Sequence, residues 1–171
     1  ATRSELVVPL VHKDRLVGVF DLESSVLDRF NEKHLKVLMP LASQVAIAIE
    51  NAGARRGLLI EECDGVLQVV AEGRSDSGPV TLLHGASLLE GPARCSRAVV
   101  DYVWRTRASL ALDDAAEDER FANDAYVAAA RLRSVLCLPI VHQGEVSAIL
   151  YLENDLARAA FGPQRIELIQ I

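Results

Sequence analysis

The stretch RSVLCLPIVHQGEVSAILYLEN at 133–154 decides the fold. Two runs of Val, Leu and Ile flank the polar pair Gln143-Gly144, the pattern of a β-hairpin with a two-residue turn. The runs are nearly continuous rather than alternating, so both strands are expected to lie inside a sheet, buried on both faces. Pro139 within the first run predicts a bulge or an edge position, because proline brings no N–H to a ladder.

The same stretch occurs earlier. RSELVVPLVHKDRLVGVFDLES at 3–24 matches it at a constant offset of 130, with eight of 22 positions identical. The identities include Pro9/Pro139, His12/His142, Leu22/Leu152 and Glu23/Glu153. Lys13-Asp14 takes the place of the turn. The same local geometry is therefore expected twice. A helix start follows each copy. Asn31 is expected to cap EKHLKVLMPLASQVAIAIENA, in which Leu35, Leu38, Ala42, Val45 and Ile49 fall at helical spacing on one face that Leu41 and Ala48 widen. Pro40 is expected to kink that helix or shift its start. In the second copy Gly162-Pro163 opens the helix, which is expected to be cut short at Ile171.

Between the copies lie parts of a mixed domain. GLLIEEC at 57–63 and VLQVVAEG at 66–73 read as strands joined at Asp64-Gly65. Residues 74–92, rich in Gly, Ser and Pro, read mostly as loop. A helix is expected at about 94–107, with Val99, Tyr102, Val103 and Thr106 facing inward. A short strand follows at 109–114, then an acidic loop, then a short helix near 124–132. The order implies an α/β (α+β) fold: a central, mostly antiparallel sheet with helices on its faces.

Length and composition bound the function. A chain of 171 residues holds one ordinary domain, or one and a fraction. Half of it is hydrophobic but only 5% is aromatic, and the net charge is −6. That balance argues against a nucleic-acid partner, since rings for stacking are few and there is no basic stretch to neutralise several phosphates in a row. The apolar runs, such as LVVPLV at 6–11, are too short to span a membrane, and ATRSEL does not look like a signal peptide. Cys63, Cys95 and Cys137 are odd in number and widely spaced, which points away from disulfides and toward the cytoplasm.

No catalytic signature occurs: there is no GxxxxGK[ST], GxSxG, HExxH or CxxC. His12, His34, His84 and His142 lack metal-ligand spacing, and the repeat explains His12 and His142 as strand-end residues. Cys137 reads as a core residue. Cys95, at a helix start, is where a thiolate could be stabilised. Asp113, Asp114, Glu117, Asp118 and Glu119 read as a solvated loop rather than a cation site.

The pieces GARRGLLIEE at 53–62, YVWRTRASLALDDAAEDERFANDAYV at 102–127 and the hairpin at 133–154 resemble, in that order, a GAF domain. The resemblance covers nearly all of 53–171 and implies a GAF/PAS-like fold and a regulatory sensor or dimerisation module of a bacterial signalling protein, not an enzyme. Residues 1–52 resemble the closing hairpin and helix of a second unit. The helix 32–52 then closes one unit and opens the next, unless the junction is a splice or permutation, or residues are missing there. In the family, ligands bind between the sheet and its cover, here about 113–132. That implies a small-molecule site with Phe121 and Tyr126 as walls and Asp124 and Arg133 as polar contacts. Equally, Phe121 and Tyr126 could anchor the loop to the sheet. The signature of cyclic-nucleotide-binding members is missing, which disfavours cyclic GMP and leaves any cofactor unknown. A homodimer through 32–52 is expected from its wide apolar face. The alternatives are a small cysteine-dependent redox enzyme of the sulfoxide-reductase type, or a structural fragment without ligand.

Overall fold

A computed structural model describes residues 3–12, 15–24, 27–28, 53–63, 65–74, 81–87, 93–142, 144–163 and 166. The helix expected at 32–52 lies outside the described residues. Among the described residues there are eight strands: β1 (Ser4–His12), β2 (Arg15–Ser24), β3 (Arg56–Cys63), β4 (Val66–Arg74), β5 (Thr81–Ser87), β6 (Leu110–Leu112), β7 (Ser134–His142) and β8 (Glu145–Asn154). The helices are α1 (Arg97–Thr106) and α2 (Ala125–Ala130). Six strands form one sheet in the order β5-β4-β3-β8-β7-β6, antiparallel throughout. β1 and β2 form a two-stranded sheet of their own, with β2 running beside β5.

The repeat predicted one geometry twice, and that is found. In β7–β8 the register slips by one residue between Ile140 and Val141, next to Pro139. In β1–β2 the slip falls between Leu10 and Val11, next to Pro9, at the same offset of 130. Each slip is a β-bulge. β6 pairs with β7 only over Val135–Cys137, so Pro139 lies past the end of that ladder, where a missing N–H costs little. His142 pairs with Glu145 across a two-residue turn whose Gly144 has φ +84°. The β3–β4 turn is built alike, with Gly65 at φ +79°. A positive φ at this place is what glycine tolerates and other residues resist. His12 and His142 are strand-end residues, as the repeat suggested.

β8 sits at the centre of the sheet and is buried continuously from Ala148 to Asn154. Leu58, Ile60, Val69, Val135, Cys137, Ile149 and Tyr151 point to the face that α1 and α2 cover. Leu59, Leu136, Leu138, Leu150 and Leu152, which alternate with them, are just as buried on the other face. Burial of both faces is why these strands read as unbroken apolar runs. The first copy differs. Val7, the equivalent of Cys137, is 51% exposed, because β1 has no neighbour like β6 among the described residues.

Two expectations need correction. Residues 74–92 were expected mostly as loop, but their described positions are strand: β4 continues to Arg74, and Thr81–Ser87 pairs with it as β5. Gly78 and Pro79 before it and Gly85 within it concealed a strand whose backbone completes the outer ladder of β4. The inward face of α1 is also rotated. Val99, Val100 and Val103 are buried, Tyr102 is half-buried and Thr106 is exposed. Ser96 caps this helix, its side chain accepting from Val99 N at 3.2 Å, and Arg107 ends it at φ 57°. Pro163 stands in the first turn of the closing helix, where Ile166 N donates to Gly162 O at 3.1 Å. No helix among the described residues is long and apolar enough to cross a membrane.

Candidate ligand cleft

Arg56 opens β3, and its direct partner on β8 is Glu153. On β4, Glu72 lies opposite Leu58, one diagonal step from Arg56. All three side chains emerge at one end of the sheet, on the face that α2 covers. Arg56 Nε donates to Glu72 Oε1 at 2.7 Å. Its Nη1 reaches Glu153 Oε1 at 3.0 Å, Tyr126 Oη at 2.6 Å and the Arg94 carbonyl at 2.6 Å. The Tyr126 hydroxyl donates to the Glu153 carboxylate, 3.0 and 3.2 Å from its oxygens. One guanidinium thus ties together three strands, α2 and the segment before α1. Arg56 and Glu153 are both buried. Buried ions are tolerated only when paired and hydrogen-bonded in this way.

The protonation states follow from the packing. Burial pushes the Glu153 carboxyl above its ordinary value, with the Arg56 charge pulling the other way. Burial works against the Glu72 carboxylate too, but the Arg56 hydrogen bond and charge win and hold it below the usual range. Tyr126 is raised, first by burial and then by the Glu153 charge, so it stays a neutral phenol able to donate.

This network forms the floor of a cleft of about 530 Å³. Arg55, Arg74, Arg94 and Asp155 stand around it, and Ala93, Ala130 and Leu132 supply its apolar surface. The volume is that of a metabolite site.

Of the residues expected from sequence, Tyr126 lines this cleft and the other three do not. The Phe121 ring is buried in the core, edge-on to Tyr102 at 5.9 Å, with the Arg120 guanidinium 5.1 Å from its centroid. Asp124 is the N-cap of α2, accepting from Tyr126 N and Val127 N. It therefore orients Tyr126 without facing the cleft. Arg133 is exposed, and its backbone joins the cover to the sheet: Arg133 N donates to Asn154 O at 2.9 Å. Arg56, Glu72 and Glu153 were missed. A signal existed for one of them, since a carboxylate retained as Glu23/Glu153 in an otherwise apolar strand asks for a buried partner.

Cys95 is 3% exposed and burial pushes its thiol up to about 12, so the helix start does not stabilise a thiolate there. Cys137 is wholly buried, as expected of a core residue. Three carboxylates of the acidic loop have partners. Asp118 pairs with Arg120 at 2.9 Å, Glu117 with Arg158 at 2.9 Å, and Asp114 accepts from Ala116 N. Among the described residues no His, Cys, Asp or Glu cluster could hold a metal ion.

An antiparallel sheet with a helical cover on one face is the plan of a small α+β domain. The particular family follows from comparison. A GAF domain family model matches residues 50–171, and a second GAF domain model matches residues 1–50. The chain belongs to the GAF domain family. It is similar to hybrid signal transduction histidine kinase G of Dictyostelium discoideum, 36% identical over 74 residues, which cover 43% of this chain and 2% of that protein. It is similar to the free methionine-R-sulfoxide reductase of Escherichia coli K12, 40% identical over 45 residues, covering 26% of this chain and 27% of the enzyme. The chain thus spans well under two thirds of these relatives. Among solved structures, the GAF domain region of a Geobacter sulfurreducens PCA protein superposes with a TM-score of 0.59 at 13% identity, covering 81% of this chain and 88% of that one. That likeness concerns the fold.

Proposed function

We propose that this chain is a regulatory sensor module of a signalling protein, in which a small molecule occupies the cleft over Arg56, Glu153 and Tyr126. The observation that carries the reading is the network itself. It joins β3, β4, β8, α2 and the approach to α1 through one guanidinium. A ligand that competes for any of these contacts would shift α2 against the sheet, and an effector could read that shift. The kinase relative supports a signalling setting. We place the division between two GAF-like units at 52/53, and we assign the apolar face of 32–52 to a homodimer. Light scattering that shows only monomer at high micromolar concentration overturns the dimer.

The redox reading draws on the reductase relative. It is weakened by Cys95 and Cys137, because thiol chemistry needs an accessible thiolate and both side chains are buried. The sensor reading is tested by a thermal-shift screen against nucleotides, haem, bilins and small metabolites. Hits should vanish in Ala130→Trp, which fills the cleft from α2. Hits that persist in that variant place the ligand elsewhere and overturn the reading.

A further inference from the structure

The strand that supplies the cleft floor also fastens the chain segments on either side of it. Asn154 ends β8 directly after Glu153, and alternation along the strand turns the two side chains to opposite faces. Asn154 is 6% exposed. Its Nδ2 donates to Gly53 O at 2.6 Å, and its Oδ1 accepts from Leu156 N and Ala157 N, both at 2.8 Å. The oxygen faces two N–H groups and the nitrogen faces a carbonyl, so one orientation of the carboxamide satisfies all three contacts. The backbone takes part as well. Asn154 O accepts from Arg133 N at 2.9 Å, and Glu153 O accepts from Arg55 N at 2.9 Å. Ser134, the partner of Asn154 across the β7–β8 ladder, is fully buried and donates to Ala157 O at 3.0 Å. Three segments thus meet at one residue: the entry to β3, the loop after β8, and the end of the cover that carries Tyr126. The carboxamide is particular to this copy, since the first copy has Ser24 at the equivalent place.

Resting on the cleft reading above, we infer that Asn154 is the residue through which the state of the cleft floor reaches Gly53 before β3 and Leu156–Ala157 after β8. Arg56 and Tyr126 hold the Glu153 side chain from one face. A ligand that draws either of them away moves the end of β8. The Asn154 carboxamide, one peptide further on, can follow only by stretching or re-aiming its three hydrogen bonds. Bonds of 2.6 and 2.8 Å have little slack, because the interaction weakens with distance and steeply with angle. Nor are they readily given up, because a buried amide left unpaired is costly. The entry and exit segments are therefore drawn along together, and the carboxamide is a positioning group for both. Such a chain of bonds carries coupling only where its members move as one, and that is a measurable property.

The test perturbs the floor without a ligand. Tyr126→Phe removes only the hydroxyl that donates to Glu153, and the backbone amides of the full chain are followed by two-dimensional NMR. Ala54, Leu156 and Ala157 are the readouts. The Ala54 amide belongs to the peptide group of Gly53 O, and the other two donate to Asn154 Oδ1. All three should shift in Tyr126→Phe. Tyr102→Phe, the same change at the ring that meets Phe121, should leave them in place. In an Asn154→Ala background the shifts caused by Tyr126→Phe should vanish at all three. Asn154→Asp keeps the acceptor and loses the donor, so there the response should persist at Leu156 and Ala157 and vanish at Ala54. Shifts of undiminished size in Asn154→Ala mean that β8 transmits the change without the carboxamide, and they overturn the assignment. Equal shifts from Tyr102→Phe overturn it too. If Asn154→Ala does not fold, Asn154→Asp decides, and a response retained at Ala54 overturns the assignment. If Tyr126→Phe shifts none of the three amides, the coupling falls, while the cleft reading stands or falls separately on the ligand screen.

Discussion

Replacing Arg56 with Met asks how much of the fold depends on the charged network. The substitution keeps a long apolar stem and removes the guanidinium. Glu153, with its side chain 8% exposed, would keep only the Tyr126 hydroxyl, and Glu72, 16% exposed, would keep the looser Arg94 and Arg74 contacts. Breaking a buried pair from one side leaves an uncompensated charge, which costs about 3–5 kcal/mol. For a chain of this size each kcal/mol lowers Tm by about 2–4 °C, so the expected drop is roughly 6–20 °C. The pH dependence provides an independent check. Glu72 is held below its ordinary value, so its contribution is present at neutral pH and is lost as pH falls through that lowered value. Glu153 is raised, so its ionisation costs stability as pH rises from the ordinary carboxylate value to the raised one, and removing Arg56 raises it further. Both effects narrow the gap between variant and parent on acidification. Thermal melts followed by circular dichroism at about pH 7 and about pH 4 measure it. A loss below about 1 kcal/mol at neutral pH, or a gap that does not shrink in acid, would refute the reasoning.

Three smaller changes probe the frame around the cleft. Ser96→Ala removes a buried cap, leaves Val99 N without its acceptor, and should cost about 0.5–2 kcal/mol in urea unfolding. Gly144→Ala introduces a Cβ at φ +84° where no atom lies within 4 Å, so the cost of about 1–2 kcal/mol is backbone strain alone and Gly144→Asn should recover part of it. In a Cys63→Ser background, Cys95 and Cys137 should resist a thiol reagent until denaturant is added, and rapid labelling of the native protein would reopen the redox reading.

The elements that the sequence disclosed are those with local causes. Both hairpins were legible because turn chemistry and the bulge beside proline are written within a few residues. Cys137 was legible as core from its place in an unbroken apolar run. What stayed hidden depends on neighbours far along the chain. β5 was hidden because Gly and Pro punctuate its surroundings, while its pairing is supplied by β4. The cleft floor was hidden because Arg56, Glu72 and Glu153 are 16 to 97 residues apart in pairs, and only the strand order brings them together. Phe121 and Asp124 stood near the right place for a different reason. They shape the cover that delivers Tyr126, one as a core anchor and the other as a helix cap.

The two hairpins separate what a sequence encodes locally from what its surroundings decide. Pro9 and Pro139 sit beside the same bulge, with the same register slip, although their settings differ. Yet Val7 is half exposed where Cys137 is fully enclosed. The bulge and the register slip therefore recur although the strand beside β7 has no described equivalent beside β1. The retained Glu23 fits the same division. Its counterpart Glu153 is stabilised by an arginine from the adjacent strand β3, not by anything within its own hairpin. A carboxylate kept at that position is information about a neighbour, and only assembly of the sheet makes it readable.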